Sequence, residues 1–360
     1  MNKICTFVPL FEKTGVKASR MNVRKVSIIC PTYKEEKFIS GCIRSIEAQD
    51  YPKEAMEVFF VDGMSSDRTR EIIQEAASGT SYIHLLDNPH RTVPYALNIG
   101  IREATGEVII RIDGHCTYPK SYVSALVKHL YELEADNVGG VWNTLPAKDT
   151  GICHAIALVS SHPFGVGASQ HKIGADHVME TDTVPFGCYR REVFNKIGLF
   201  DEELTRNQDD EFNGRLLKAG GKIFLIPDVV IDYTARDSFA KMRKMYYQYG
   251  LFKPLVNKKL GAPATLRQFV PVLFLLGIVL GAVACYIWPT FRWIYLALAC
   301  LYMLICFSIG IRNAVKHKRP SLAILIPYAL FNTHISYGWG YLCGIFKILF
   351  KRPFNVKSNR

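Results

Sequence analysis

Two short stretches hold most of the residues that could do chemistry in this chain. Gly106–His115, GEVIIRIDGH, is an apolar run that ends in Asp113, Gly114 and His115. Residues two apart on an extended segment face the same way, so this carboxylate and imidazole can hold one divalent cation from one side. In Asn207-Gln-Asp-Asp-Glu-Phe212 three acids stand in a row at the head of a helical pattern. Acids suit a helix N-terminus because the dipole favours them there. Three together also repel one another, and one of them held near a reacting group could serve as a general base. Glu35 and Asp62 follow two further strands, and Arg91 lies in a loop close behind a third. A carboxylate can accept from the N–H of a nucleotide base, and an arginine can meet a ribose or phosphate. An Asp-Gly after a strand is also an ordinary turn, so the elements around these residues must decide.

Val26–Cys30 reads as a strand stopped by Pro31, and apolar spacing from Glu36 to Gln49 as a helix. Glu57–Val61, Thr69–Ala77 and Tyr82–Leu86 continue as strand, helix and strand, and Val108–Ile112 is a β-branched run buried on both faces. This alternation predicts an α/β domain with right-handed crossovers and a parallel sheet. Function in such sheets collects at the carboxyl ends of the strands, so Glu35, Asp62 and Asp113 are expected to meet at one crevice. Neither G-x-G-x-x-G nor G-x-x-x-x-G-K-[ST] occurs, which removes the main support for a dehydrogenase or P-loop reading. Asp67 reads as a helix-start residue. Residues 137–185 show little regular pattern, and the Gly-rich stretch 165–174 reads as a flap over the site. His154, His162, His171 and His177 lack zinc spacing, so zinc is not expected.

The net charge of +12 is unevenly spread. No Asp or Glu follows Asp237, whereas 17 of the 44 lysines and arginines do. The chain is thus a mildly acidic domain with a basic, apolar tail, and the tail's charges flank hydrophobic segments. That pattern points to an anionic membrane face and away from nucleic acid. The ten cysteines form neither a C-x-x-C pair nor a metal spacing, as in a reducing compartment. No continuous apolar stretch marks a signal peptide, and residues 1–24 read as an extension, with Met21 a candidate start.

The predicted organisation is a catalytic domain over 25–237, an amphipathic interfacial helix and linker over 238–265, a membrane region over 266–350 and a basic tail over 351–360. The amphipathic stripe could equally pack on the catalytic domain. Residues 268–288 and 293–311 are long enough to span a bilayer. Arg312–Arg319 reads as a cytoplasmic loop, which places the catalytic domain on that side too. Residues 322–350 are apolar but interrupted by Pro327, Asn332, His334 and Gly338-Trp-Gly340, and read as a third hydrophobic element, such as a re-entrant or interfacial helix pair.

Taken in order, Pro31-Thr-Tyr-Lys-Glu35, Val61-Asp-Gly-Met-Ser-Ser-Asp67, Asn88-Pro-His-Arg91 with Asn98, Arg111-Ile-Asp-Gly-His115, Asp182-Thr-Val-Pro-Phe-Gly187, Arg190-Arg191, Gly198-Leu-Phe-Asp-Glu202 and Asn207–Phe212 resemble a family 2 glycosyltransferase of the GT-A fold. Within that family the chain is similar to the membrane-bound, succinoglycan-biosynthesis type of bacterial enzymes. The resemblance implies a Rossmann-like, mostly parallel sheet with flanking helices, followed by C-terminal transmembrane helices. It also implies inverting transfer of a sugar from a nucleotide-sugar donor, usually UDP-linked, with Mn²⁺ or Mg²⁺. Carried over by position, Pro31, Tyr33, Glu35, Asp62 and Arg91 line the nucleotide, with Asp62 on the base. Asp113 and His115 stand at the family's D-x-D metal motif, with a histidine in place of the second acid. Within Gln208-Asp-Asp-Glu-Phe212, Asp209 is the base with Asp210 the second choice, and Phe186, Gly187, Arg190, Arg191 and Gln248 fall on the acceptor side.

The processive synthases' Q-x-x-R-W is absent and Gln248-Tyr-Gly250 stands in its region, which favours single-sugar addition. With the tail, this implies a multi-pass protein of the bacterial inner membrane, cytoplasmic in its catalytic domain. It would glycosylate a lipid-linked saccharide, of the polyprenyl-diphosphate type, in exopolysaccharide or capsular polysaccharide biosynthesis. The competing readings are a processive polysaccharide synthase and a non-catalytic nucleotide-sugar-binding scaffold.

Overall fold

The structure, a computed structural model, describes residues 23–167, 169–263 and 265–354. The expected extension, with Met21, lies almost wholly outside the described residues, as does most of the basic tail. The first half alternates strand and helix as expected: β1 (Val26–Thr32), α1 (Ile39–Glu47), β2 (Met56–Asp62), α2 (Thr69–Ser78), β3 (Ile83–Asp87), α3 (Val93–Glu103), β4 (Val108–Arg111), β5 (Cys116–Thr117) and α4 (Tyr122–Glu132). Then come β6 (Asn137–Leu145), α5 (Gly151–Ser160), α6 (Pro163–Val166), α7 (Gln170–Ile173), β7 (Met179–Glu180), β8 (Cys188–Arg190), α8 (Arg191–Ile197), α9 (Gln208–Lys218) and β9 (Ile223–Thr234). Four long helices carry the remainder: α10 (Phe239–Leu260), α11 (Val270–Ile287), α12 (Phe291–Lys316) and α13 (Leu322–Leu349).

One sheet runs β3-β2-β1-β4-β8-β6-β9-β5, with β7 beside β9. β1 to β4 pair in parallel, as predicted, so Thr32, Asp62, Asp87 and Arg111 all lie at the same edge. Beyond β4 the sheet is mixed, because β8 enters antiparallel between β4 and β6 while β6 and β9 run parallel. Every residue of β1 and β2 is buried. Alternate side chains feed two cores: Ile28, Val58 and Phe60 on one face, and Ile29, Phe59 and Val61 on the other.

Residues 137–185 are more regular than their pattern suggests. β6 is a nine-residue strand inside the sheet and α5 a ten-residue helix. Gly139 and Gly140 disguised the strand, since glycine is depleted from strands in general. Here Gly140 is needed, because β9 bulges between Ile226 and Val230, and a Cβ on Gly140 would overlap the Val229 carbonyl. The described residues of the Gly-rich stretch fall largely in α6 and α7.

Packing decides two readings that the tail's sequence leaves open. The apolar face of α10, with Met242, Met245, Tyr246 and Leu251 buried, is covered by α5, α9 and α13 and is not left for a bilayer. The third hydrophobic element is one continuous helix, α13, in spite of Pro327 and the glycines. Both ends of α13 stay on the catalytic domain. Ser321 lies beside Gly151 at the start of α5, and Phe354, just past the other end, packs with Leu204, Phe252 and Val256. α11 and α12 are long and apolar enough to cross a membrane, and residues such as Leu273, Leu280, Trp293 and Leu298 point outward. α12 extends through Lys316 into the basic segment expected as loop, and Arg319 beyond it pairs with Asp149 of the catalytic domain.

Glycines let α10 and α13 approach closely. A Cβ on Gly340 would overlap the Tyr247 carbonyl, and one on Gly250 the Tyr337 carbonyl. Gly340→Val should therefore cost more than the roughly 1–3 kcal/mol typical of overpacking, because backbone and not a side chain must move. Thermal unfolding in detergent should show a Tm several degrees lower, while Gly277→Val, where a Cβ meets nothing, leaves it unchanged.

Candidate functional site

Arg111 ends β4 and is the hub of the site. Its guanidinium is buried, donates to Asp209 Oδ2 in a short ion pair, and lies 3.2 Å from Asp113 Oδ1. The Phe186 ring, 5.7 Å away, covers it. Burial opposes the charge on Arg111, but Asp209 and Asp113 outweigh it and raise the pKa, so the side chain stays cationic. Sequence reading placed Arg111 only inside a motif; the signal was a charged residue in an otherwise apolar strand, which is rarely buried unless paired.

Asp209 stands in the first turn of α9, which Asn207 starts from a left-handed conformation with its side chain donating to Tyr249 O. Burial raises the Asp209 pKa, partly offset by Arg111. Its Oδ1 is buried and accepts no hydrogen bond among the described residues, although Oδ2 is held by Arg111. A carboxylate fixed at one oxygen and open at the other, with raised proton affinity, is equipped to take a proton. Asp210 is committed elsewhere, to Lys253 Nζ at 2.7 Å.

Asp113 follows β4, and its backbone is clamped by Tyr118, whose hydroxyl accepts from the Asp113 N–H at 2.7 Å. His115 is buried, 3.7 Å from Glu35 Oε1 and edge-on to Tyr233. Burial first, then Arg236, Arg111 and Arg206, push its pKa down to about 4, so the imidazole is neutral at pH 7 and keeps a lone pair. Among the described residues no three His, Cys, Asp or Glu side chains gather around a point. Asp113 and His115 thus fit a cation shared with a diphosphate and water, as Mg²⁺ and Mn²⁺ sites in phosphoryl chemistry are built, and not a closed structural site.

The nucleotide residues of the sequence reading lie at the same sheet edge. Lys34, Met64 and Arg91 each adopt a positive φ in the loops after β1, β2 and β3. Gly63 lies against Tyr33 and the Arg91 backbone, with so little space that a Cβ would come 3.0 Å from the Tyr33 ring. Pro31 is buried in β1 opposite Val61. Glu35 is buried below this edge, and its N–H donates to Thr69. Asp62 is not presented to the cleft: its carboxylate is fully buried and accepts from Thr32, Ser65 and Arg70. Here it shapes the 62–65 turn. Asp67 accepts from the Thr69 N–H and hydroxyl at the start of α2, the helix-start role expected of it.

The acceptor-side residues separate. Phe186 lines the central cavity, and the Gly187 carbonyl accepts from Arg111 N–H. Arg190 and Arg191 do not reach the site. They pair with the start of β4 or follow it, and donate to carbonyls of Ala135 and Leu130 and of Gly106 and Ala104. An arginine satisfied by backbone oxygens reads the same in sequence as one awaiting a substrate. Gln248 lies beside the cavity and accepts from Arg206 Nε.

The cavity, about 630 Å³, opens beside Arg111, Asp113, His115 and Asp209. It runs beneath α6 and α7 and ends at Val270 and Pro271 of α11 and at Thr333 and Tyr337 of α13. None of Pro31, Tyr33, Glu35, Asp62 or Arg91 lines it. The site therefore has two compartments that meet at Asp113: the nucleotide edge and a passage to the apolar helices. Sequence reading missed most of the passage, because Trp142, Lys172, Arg206, Arg236 and Arg267 come from segments far apart in the chain.

Residues 27–198 match the model of the family described as glycosyl transferase family 2. The chain is 28% identical over 331 residues, 89% of this chain and 97% of the relative, to a dolichyl N-acetyl-alpha-D-glucosaminyl phosphate 3-beta-D-2,3-diacetamido-2,3-dideoxy-beta-D-glucuronosyltransferase of Methanococcus voltae. It is also 28% identical over 317 residues, 87% of this chain and 93% of the relative, to the succinoglycan biosynthesis protein ExoA of Rhizobium meliloti. Among solved structures, a mannosyltransferase from Pyrobaculum calidifontis, determined with GDP-Man and Mn²⁺, superposes with a TM-score of 0.55 at 21% identity. That match covers 89% of this chain and 88% of the other, and establishes the likeness of fold, GT-A.

Proposed function

From the premise that this chain is a glycosyltransferase with a family 2 domain on a GT-A fold, we propose that it moves a sugar from a nucleotide-sugar donor to a lipid-linked acceptor, with inversion at the anomeric carbon. The carrying observation is Asp209: a buried carboxylate, held by Arg111 at one oxygen and open at the other, beside Asp113 at the mouth of a cavity that reaches the apolar helices. The acceptor reading draws support from that passage and from the relative named for a dolichyl-phosphate-linked sugar.

In this mechanism the nucleotide lies along the Pro31, Tyr33 and Arg91 edge, with its diphosphate at Asp113 and His115. Asp209 Oδ1 receives the proton of the acceptor hydroxyl as that oxygen bonds to the anomeric carbon from the face opposite the donor phosphate. The bond from that carbon to the phosphate oxygen breaks, and its electron pair leaves with the nucleoside diphosphate. A divalent cation bound by Asp113 and His115 would offset the charge growing on that leaving group. Arg111 offsets part of the proton affinity that burial gives Asp209 and holds its carboxylate in place, and the Phe186 ring covers the guanidinium.

In the membrane reading α11 and α12 cross as a hairpin while α13 stays on the catalytic side. Arg312, Lys316, Lys318 and Arg319 lie at one end of the hairpin and Arg292 alone at the other, so the positive-inside trend puts the catalytic domain in the cytoplasm. The donor, with UDP-sugars first, is found by screening nucleotide sugars on purified membranes for metal-dependent release of nucleoside diphosphate. One donor should be turned over only with Mn²⁺ or Mg²⁺; no release from any donor would leave the scaffold reading. His115→Ala should raise the Mn²⁺ concentration for half activity about tenfold, in the range of disturbed metal sites. A change in donor KM alone would place His115 on the diphosphate.

A further inference from the structure

The cavity carries more positive charge than its carboxylates balance. Seven lysines and arginines line it against four aspartates. All four aspartates are taken: Asp113 and Asp209 by Arg111, Asp210 by Lys253 and Asp182 by Arg267. Lys218 donates to the Leu260 carbonyl. Lys172, Arg206 and Arg236 remain, and among the described residues none of them forms an ion pair.

These three come from different elements and converge on one wall. Lys172, on α7, places its ammonium over the Trp142 and Tyr249 rings, 5.5 Å from each centroid. Arg206, just before α9, donates Nε to Gln248 and leaves the other end of its guanidinium uncommitted. Arg236, just after β9, lines both the main cavity and a small chamber beside it, where Lys172, Trp142 and Tyr249 also appear. Burial, and then Arg236 nearby, lower the Arg206 pKa, so these like charges are held together at a cost. Trp142 Nε1 and Thr144 Oγ1, in the walls of the small chamber, are buried with no hydrogen-bond partner among the described residues. Half-buried cations without counter-charges, next to buried unused donors, are the makings of an anion site.

We propose that Arg206, Arg236 and Lys172 form a phosphate subsite, and that it holds the phosphate of a lipid-phosphate acceptor. It lies in the compartment that Pro31, Tyr33 and Arg91 do not line, and the same cavity continues to Val270, Pro271 and Tyr337. An acceptor with its hydroxyl at Asp209 and its apolar chain leaving between α11 and α13 brings its phosphate into this passage. The inference rests on the transferase reading for the acceptor's identity, but its binding test needs no turnover, so the two can fail separately.

The test is calorimetric titration of the full-length protein in detergent with farnesyl phosphate, farnesol and UDP as probes. The wild type should bind farnesyl phosphate about tenfold or more tightly than farnesol, and Arg206→Gln and Arg236→Gln should each remove most of that preference without changing farnesol binding, as expected for lost charge-assisted hydrogen bonds. Arg206→Lys should recover part of it. If the arginine variants lose UDP affinity and keep that for farnesyl phosphate, the phosphate subsite stands and its ligand is the donor's diphosphate, which overturns the acceptor assignment. If neither probe is affected in variants with wild-type melting temperatures, the subsite is overturned. Should both arginine variants fail to fold, Lys172→Gln on the one-turn helix α7 decides by the same readings. Phosphate preference without turnover of any nucleotide sugar would leave the subsite intact and refute the transferase reading.

Discussion

Asp209→Asn is expected to lower turnover about 10³-fold, the middle of the range for a removed general base, while the protein still binds donor nucleotide and melts near the wild-type temperature. The amide keeps the shape and can still accept from Arg111 through its carbonyl oxygen, but it cannot take a proton. Asp210→Asn is the control. That carboxylate is held by Lys253 at 2.7 Å, so its loss should disturb the α9 to α10 contact and leave more activity. The measurement is single-turnover sugar transfer, with nucleotide binding followed separately. Full turnover by Asp209→Asn would move the base elsewhere, whereas loss of nucleotide binding in parallel would make Asp209 a donor-positioning residue.

Arg111→Met should have the next largest effect, about 10²-fold in turnover at pH 7, and it should depend on pH. The guanidinium is the cation that both Asp113 and Asp209 face. Burial already raises the Asp209 pKa, and the Arg111 charge opposes that rise most. Without Arg111 the pKa rises further, and the nearby Asp113 charge adds to the rise. A base acts only when deprotonated, above its pKa, so the acid limb of the rate profile should move to higher pH and activity should partly return on the alkaline side. A profile lowered evenly at every pH would mean that Arg111 orients Asp209 without tuning it. Arg111→Lys tests the second half of the role. It keeps one charge but cannot span two carboxylates, so it should retain the acid limb better than methionine does while still losing turnover.

Much of the candidate site was legible from residue types at strand ends. Asp113 and His115 follow a β-branched run, and Asp209 opens a helix, so their positions depend on local pattern that sequence carries directly. The outcome for Asp62 was not legible. Its neighbours Ser65 and Arg70 lie within eight residues, yet whether a carboxylate turns outward to a ligand or inward to its own turn depends on which donors the loop presents. The same holds for Arg190 and Arg191, which are spent on carbonyls far away in the chain.

By itself the sequence determined the alternating strands and helices of the first half, the acids at the strand ends, and two segments apolar enough to cross a membrane. Each of these follows from periodicity or composition within some twenty residues. Tertiary structure alone decided three other matters. β8 enters antiparallel, because strand order is set by non-local packing. α13 lies along the catalytic domain, because Gly250 and Gly340 let two backbones meet that are about ninety residues apart in the chain. The charge balance of the cavity is a tertiary property too: Arg111, Lys253 and Arg267 each find a carboxylate on another segment or turn, and Lys172, Arg206 and Arg236 do not. Coulomb interactions act through space, and only the fold says which charges are near.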